Sequence, residues 1–166
     1  MNIRLKMSGL AELEMRIATL ERSAPGVAKA CLYEGARVLA DSLRAAVATI
    51  PTQEHHAVPN APNGRQLVYM TPEEKAACLA GIGIAKFQGD VGHFETAVGF
   101  EGYQTTATSE GYPYGIPVPM LMRSIEIGSS VRAKYPVVRK ALKGAEGGAL
   151  AAMQAKFDEI IEKIMR

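Results

Sequence analysis

The sequence predicts an α+β fold in one domain, built from an N-terminal strand, a long amphipathic helix, a small antiparallel hairpin and a C-terminal helix. Three observations predict it. Residues 2–7 alternate strictly between apolar and polar, which is the period of a half-buried strand. Leu32, Ala36, Leu39, Leu43, Ala46 and Ile50 recur at steps of four and three, which is one apolar stripe on a helix. Two short β-prone segments, 82–87 and 93–100, flank a glycine-rich turn. At 166 residues such a domain can bury roughly 70% of the surface its unfolded chain exposes. Neither a disulfide nor a metal is needed to hold a core. The whole chain, 1–166, reads as a single domain with long irregular loops at 51–70 and 101–118.

Each element has its own signal. In the first strand Ile3, Leu5 and Met7 share one face, and Asn2, Arg4 and Lys6 the other. Ser8 and Gly9 suit a helix start, and Leu10, Leu13, Ile17 and Leu20 give a helix over 9–22. Ser23-Ala24-Pro25-Gly26 is expected to break it. A second, longer helix is expected from Pro25 to Thr49, stopped by Pro51. Its stripe is expected to be core. Thr71-Pro72-Glu73-Glu74 supplies a capping hydroxyl, a proline in the first turn and acids beside the helix dipole. That helix ends near Gly81, and the hairpin follows. Residues 119–127 are apolar and fit either helix or strand. Pro136 is expected to open the last helix, whose stripe is Leu150, Met153, Phe157, Ile160 and Ile164.

Composition excludes several classes. Apolar residues are 48% and charged residues 22% of the chain, ordinary for a globular protein. No apolar run approaches the roughly 18–20 residues of a membrane helix. The first seven residues lack the apolar stretch of a signal peptide. Cys31 and Cys78 have no metal-ligand or redox spacing, and they suggest a reducing compartment. The net charge of +2 is too small to mark a nucleic-acid binder. It is unevenly spread, however: residues 51–130 carry four basic and eight acidic groups, and residues 131–166 eight basic and four acidic. Such sectors can pair within one chain or between copies.

No catalytic constellation emerges, and no cofactor is expected. His55, His56 and His93 are the three histidines, and a metal-dependent enzyme would have to be built on them. A metal site needs three or four convergent ligands, whereas adjacent loop histidines are ordinarily solvated. Gly81-Ile82-Gly83-Ile84 lacks the Gly-Lys-Ser/Thr ending of a phosphate loop. No serine lies in a Gly-x-Ser-x-Gly elbow. Arg132, Lys134, Arg139, Lys140 and Lys143 form a basic run with no acid among them. It would serve a nucleic-acid-binding accessory module, or an acidic protein surface, or plain solvation. Only Tyr135 supplies the aromatic interleaving that a nucleic-acid reader wants.

One long segment carries a resemblance. Val98-Gly99-Phe100-Glu101-Gly102-Tyr103 is followed by Tyr112-Pro113-Tyr114-Gly115 and Pro117. Then come Arg123-Ser124-Ile125-Glu126-Ile127-Gly128-Ser129-Ser130 and Lys134-Tyr135-Pro136-Val137-Val138-Arg139-Lys140-Ala141. This pattern resembles the gene-ten-like family of tailed phages and prophages, which are small tail-completion or head–tail joining proteins. Ser129 stands where that family usually has threonine, and Val137 where it usually has phenylalanine.

The resemblance implies a structural virion protein at the tail–head junction, without enzymatic activity. It implies a ring of copies, six by tail symmetry. The partners would be the tail tube or tail terminator and the head-completion or neck proteins, with no membrane and no sequence-specific nucleic acid. Localisation would be the virion or phage-like particle, and the host cytoplasm during assembly. Glu126, Gly128, Ser129, Arg132, Lys134, Arg139 and Lys140 are the candidate interaction residues. Glu126 is expected to pair with a cation, Arg139 of its own chain or a basic residue of a neighbour. Gly128 is expected to hold a backbone geometry that a side chain would strain.

Overall fold

The computed structural model describes residues 10–53, 69–89, 93–105, 111–130 and 132–165. The strand expected over 2–7, His55 and His56, and most of the 51–70 loop lie outside the described residues. The fold is α+β: four helices and two small antiparallel two-stranded sheets among those residues.

Helix α1 runs unbroken over Leu10–Ala48, with Pro25 inside it. The expected break at 23–26 is therefore wrong. An interior proline costs about 3 kcal/mol because it removes a hydrogen bond and crowds the preceding turn. The side-chain bonds just before it, from Ser23 Oγ to the Thr19 and Leu20 carbonyls at 2.8 and 3.1 Å and from Arg22 Nε to the Ala18 carbonyl at 3.2 Å, do not replace the bond that the Glu21 carbonyl loses. Residues on both sides of Pro25 face one neighbour, the C-terminal helix. Tertiary burial thus decides the element, as it does for most helices in proteins.

The stripe of α1 is rotated slightly from its expected centre. Ala36, Ala40, Leu43, Val47 and Ile50 are buried, while Leu39 and Ala46 are only half-buried. Both readings share residues 36, 43 and 50, which stack two turns apart. Periodicity finds that line but not which flank the rest of the fold covers.

Helix α2, Pro72–Ala80, starts as its sequence dictates. The Thr71 hydroxyl accepts from the Glu74 amide at 3.2 Å, and the Glu74 carboxylate accepts from the Thr71 amide at 2.9 Å. Lys75 Nζ donates to the carbonyls of Ala48 and Ile50, closing the C-terminal end of α1. Gly81 ends α2, where an added Cβ would stand 2.3 Å from the Glu101 carbonyl oxygen.

Strands β1, Ile82–Ile84, and β2, Val98–Phe100, pair antiparallel with Gly83 opposite Gly99. The hairpin is as expected, but its second strand is shorter than 93–100. Beyond it the arm is held by a separate bridge between Gln88 and Glu95, with both bonds at 3.0 Å. Lys29 Nζ lies 4.9 Å from the centre of the Phe94 ring, which ties this arm to α1.

The stretch expected to be irregular over 101–118 contains a second short ladder. Strands β3, Tyr103–Gln104, and β4, Ile116–Pro117, pair antiparallel. Helix α3, Val118–Ile127, resolves the ambiguous apolar segment. Val118, Leu121, Met122 and Ile125 are buried at helical spacing.

Helix α4 spans Val138–Met165 and passes through Gly147-Gly148 without interruption. It runs antiparallel to α1: Ser42 Oγ donates to the Ala141 carbonyl, Gly148 sits against Val38, Gly35 against Met153, and Arg16 reaches the Met165 carbonyl. Glycines permit this close approach of the two helices. The core gathers the C-terminal part of α1 with Met70, Cys78, Ile82 and the buried face of α3. Burial pushes the Cys78 thiol up to about 12. Among the described residues, no helix is long and apolar enough to cross a membrane.

Candidate assembly surfaces

The resembling segment turns out to be the joint of the fold. Glu126, near the end of α3, accepts hydrogen bonds from the backbone amides of Val138 at 3.0 Å and Arg139 at 3.2 Å. A carboxylate there satisfies two amides that the first turn of α4 leaves without internal partners, and it faces the positive end of the helix dipole. The expected pairing of Glu126 with the Arg139 side chain of its own chain is corrected by this geometry. Residue 139 is the partner, but through its amide, and its side chain is exposed.

Between the two helices the chain is clamped. Gly128 has φ +81°, in the left-handed region that favours glycine, as expected. The Ser129 amide donates to the Arg132 carbonyl at 3.0 Å, and the Ser129 hydroxyl accepts from the Arg132 amide at 3.1 Å. The Tyr135 amide donates to the Ile125 carbonyl at 2.7 Å. The Tyr135 ring stands edge-on to Tyr69, with centres 5.4 Å apart.

Arg132 does not belong to a solvated basic surface. Its guanidinium nitrogens lie 3.0 and 2.5 Å from the two carboxylate oxygens of Glu74, and one also donates to the Tyr69 carbonyl at 3.0 Å. Both side chains are buried, at 8% and 2% exposure. The run therefore divides. Lys134, Arg139, Lys140 and Lys143 are exposed around the start of α4, and Arg132 is internal. Cations at a helix N-terminus oppose the dipole, so those on α4 are not placed for helix stability.

Two further surfaces escaped the sequence reading. On the β3–β4 side Tyr103, Tyr114 and Met120 are exposed, Tyr114 at 76%. Tyr112 donates its hydroxyl to Met120 Sδ at 3.2 Å. Away from the core, α1 and α4 continue as a two-helix hairpin with an open groove of about 510 Å³. Leu20, Ala24, Val27 and Cys31 line it from α1, and Leu150 and Phe157 from α4. Ile17, Leu20, Ala24, Val27 and Cys31 follow the same three-and-four spacing as any helix stripe. That signal was legible, but the expected break at Pro25 divided it.

Among the described residues, no three His, Cys, Asp or Glu side chains come together as metal ligands. His93, the one described histidine, is exposed. Comparison with protein-family models, with curated proteins and with solved structures gave no match.

Proposed function

We propose that the chain is a structural assembly protein of a tailed phage, prophage or phage-like tail particle, completing or joining the tail at its junction with the head. Copies form a ring, six by tail symmetry, that contacts the tail tube or terminator on one side and neck proteins on the other. The chain works by docking rather than catalysis, in the host cytoplasm during assembly and then in the particle.

The observation that carries this reading is the resemblance over 98–141 together with what those residues do. They supply the β3–β4 ladder, the Glu126 cap, the Gly128 turn and the Arg132 side chain. They are framework residues, so the likeness concerns how the chain is built. The apolar side chains left on the outside add support. Ile17, Leu150 and Phe157 on the helical hairpin, with Tyr103 and Tyr114 near β4, are exposed, and such groups mark interfaces when they gather.

The test is an assembly count. Lys140→Glu with Lys143→Glu, and separately Tyr114→Ala, are introduced and the fraction of tails joined to heads is scored by electron microscopy. Normal joining in both variants contradicts the reading. Salt dependence addresses the nucleic-acid alternative, because a phosphate binder loses affinity steeply as salt rises.

A further inference from the structure

The outer face of α3 is apolar and runs into a group of cations. Met120, Arg123 and Ile127 follow one another at helical steps, so they share one face, opposite Leu121, Met122 and Ile125 in the core. Met120 is 48% and Ile127 55% exposed. At the N-terminal end the Tyr112 hydroxyl donates to Met120 Sδ at 3.2 Å. At the other end Gly128 turns the chain, and Lys134 stands beside it: a Cβ at Gly128 would lie 3.2 Å from the Lys134 Cβ. Arg139, Lys140 and Lys143 follow on the first two turns of α4, all exposed.

These cations differ from most others on the surface. Arg37 and Arg44 are held by Glu34 and Asp41, Lys156 and Lys163 by Glu159, and Lys75 by two carbonyls. Among the described residues, Arg123, Lys134, Arg139, Lys140 and Lys143 enter no ion pair. Glu126, one turn after Arg123, gives both its carboxylate oxygens to the amides of Val138 and Arg139. Like charges gathered in this way repel, and those on α4 also oppose its dipole. The apolar stripe decides which kind of anion fits. A phosphate backbone answers the cations but leaves Met120 and Ile127 in water. Stacked bases ask for aromatic faces along the cationic path, whereas Tyr112 and Tyr114 precede α3 and the cations gather past its end. Methionine, tyrosine and arginine together are the composition of protein interfaces.

We propose that the outer face of α3, with the start of α4, docks an acidic amphipathic segment of a partner protein, its apolar side chains on Met120 and Ile127 and its carboxylates on Arg123, Lys134 and Arg139. From Met120 to Ile127 the helix rises about 10 Å, at about 1.5 Å per residue, so about two turns of a partner helix cover the stripe. The contact is defined by the partner's chemistry and does not depend on a role at the tail–head junction.

The probe is a fluorescently labelled peptide of leucine and glutamate at helical spacing, read by anisotropy against the full-length protein at low salt. Wild type is expected to bind it and not its leucine–lysine counterpart. Ile127→Ser, and separately Arg123→Glu with Lys134→Glu, are each expected to weaken binding about tenfold or more, as loss of an interface hot spot does. The replaced side chains are exposed, so the fold is kept, and thermal melting of each variant checks this. Phe157→Ser, in the groove between α1 and α4, is expected to leave binding unchanged. No binding up to about 1 mM peptide overturns the proposal. Binding lost with Phe157→Ser puts the peptide in the groove, and binding that ignores Ile127→Ser rests on charge alone; either result overturns it. An oligothymidylate that binds more tightly than the peptide means a nucleic-acid surface, and overturns it as well.

Discussion

Arg132 and Glu74 form a buried, two-pronged ion pair that joins the loop before α4 to the first turn of α2. Glu74 also closes the cap of α2 through the Thr71 amide. One carboxylate thus fixes a helix start and anchors a segment 58 residues away. Removing one partner of such a pair leaves a buried charge alone. Arg132→Met is expected to cost about 3–5 kcal/mol in chemical denaturation. Arg132→Met with Glu74→Gln keeps an acceptor for Thr71 and removes both charges, so the double variant is expected to be more stable than the single one.

Glu126 acts through the backbone. Glu126→Ala is expected to lower stability by about 1–2 kcal/mol, as the loss of a helix cap does. Arg139→Glu leaves both amides in place and is expected to change thermal stability little. The charge swap, Glu126→Arg with Arg139→Glu, is then expected to be no better than Glu126→Arg alone. Rescue by the swap means a side-chain pair and contradicts the cap.

Leu43 and Leu39 separate the centre of the α1 stripe from its edge. Leu43→Ala falls in the range of buried large-to-small changes, about 2–5 kcal/mol. Leu39→Ala removes a half-buried side chain and is expected to cost less than about 1.5 kcal/mol. Equal losses in urea titration contradict this placement.

Much of this architecture is legible in the residues. The capping box at Thr71 and Glu74 is local, so four residues suffice to name it. The hairpin from Ile82 to Phe100 follows from short-range pattern, whereas the apolar run at 119–127 fits helix and strand alike and is decided by its packing as α3. Three things were not legible, for one shared reason. The passage of α1 through Pro25 depends on its packing against α4. The burial of Arg132 depends on Glu74, and the role of Glu126 on where α4 begins. Each is a contact between distant parts of the chain. A cation run with no acid inside it looks solvated until the acid arrives from another helix.

Gly81 and Gly144 are both glycines of helix ends or interiors with opposite surroundings. A Cβ at Gly81 meets the Glu101 carbonyl oxygen at 2.3 Å, while one at Gly144 meets nothing within 4 Å. Gly81→Ala is expected to destabilise by more than about 2 kcal/mol, because a backbone atom must move. Gly144→Ala is expected to stabilise by about 0.5–1 kcal/mol through helix propensity. Calorimetric melting of the two variants checks both signs.

The Cys78 thiol links stability to alkaline pH. Its folded value is raised to about 12 from an ordinary 9.0, first by burial and then by the Glu74 charge, with Arg132 opposing. A raised value means the contribution is fully present below pH 9 and falls as pH rises toward 12. Between those limits the unfolded chain has lost the thiol proton and the folded chain keeps it. The slope from this group is about −1.4 kcal/mol per pH unit. Wild type is therefore expected to lose stability relative to Cys78→Ala across that window, and the two to run parallel below it.

Reconstruction of the intact particle by electron cryomicroscopy tests the assembly reading most directly. The expected result is a closed ring of this chain at the tail–head junction, six copies around the axis, with Glu126 bound to the amides of α4 in each copy and the surfaces near Tyr114 and Lys140 facing neighbours. A particle that carries this chain as a single copy away from that junction, or a complete particle with the chain absent, contradicts it.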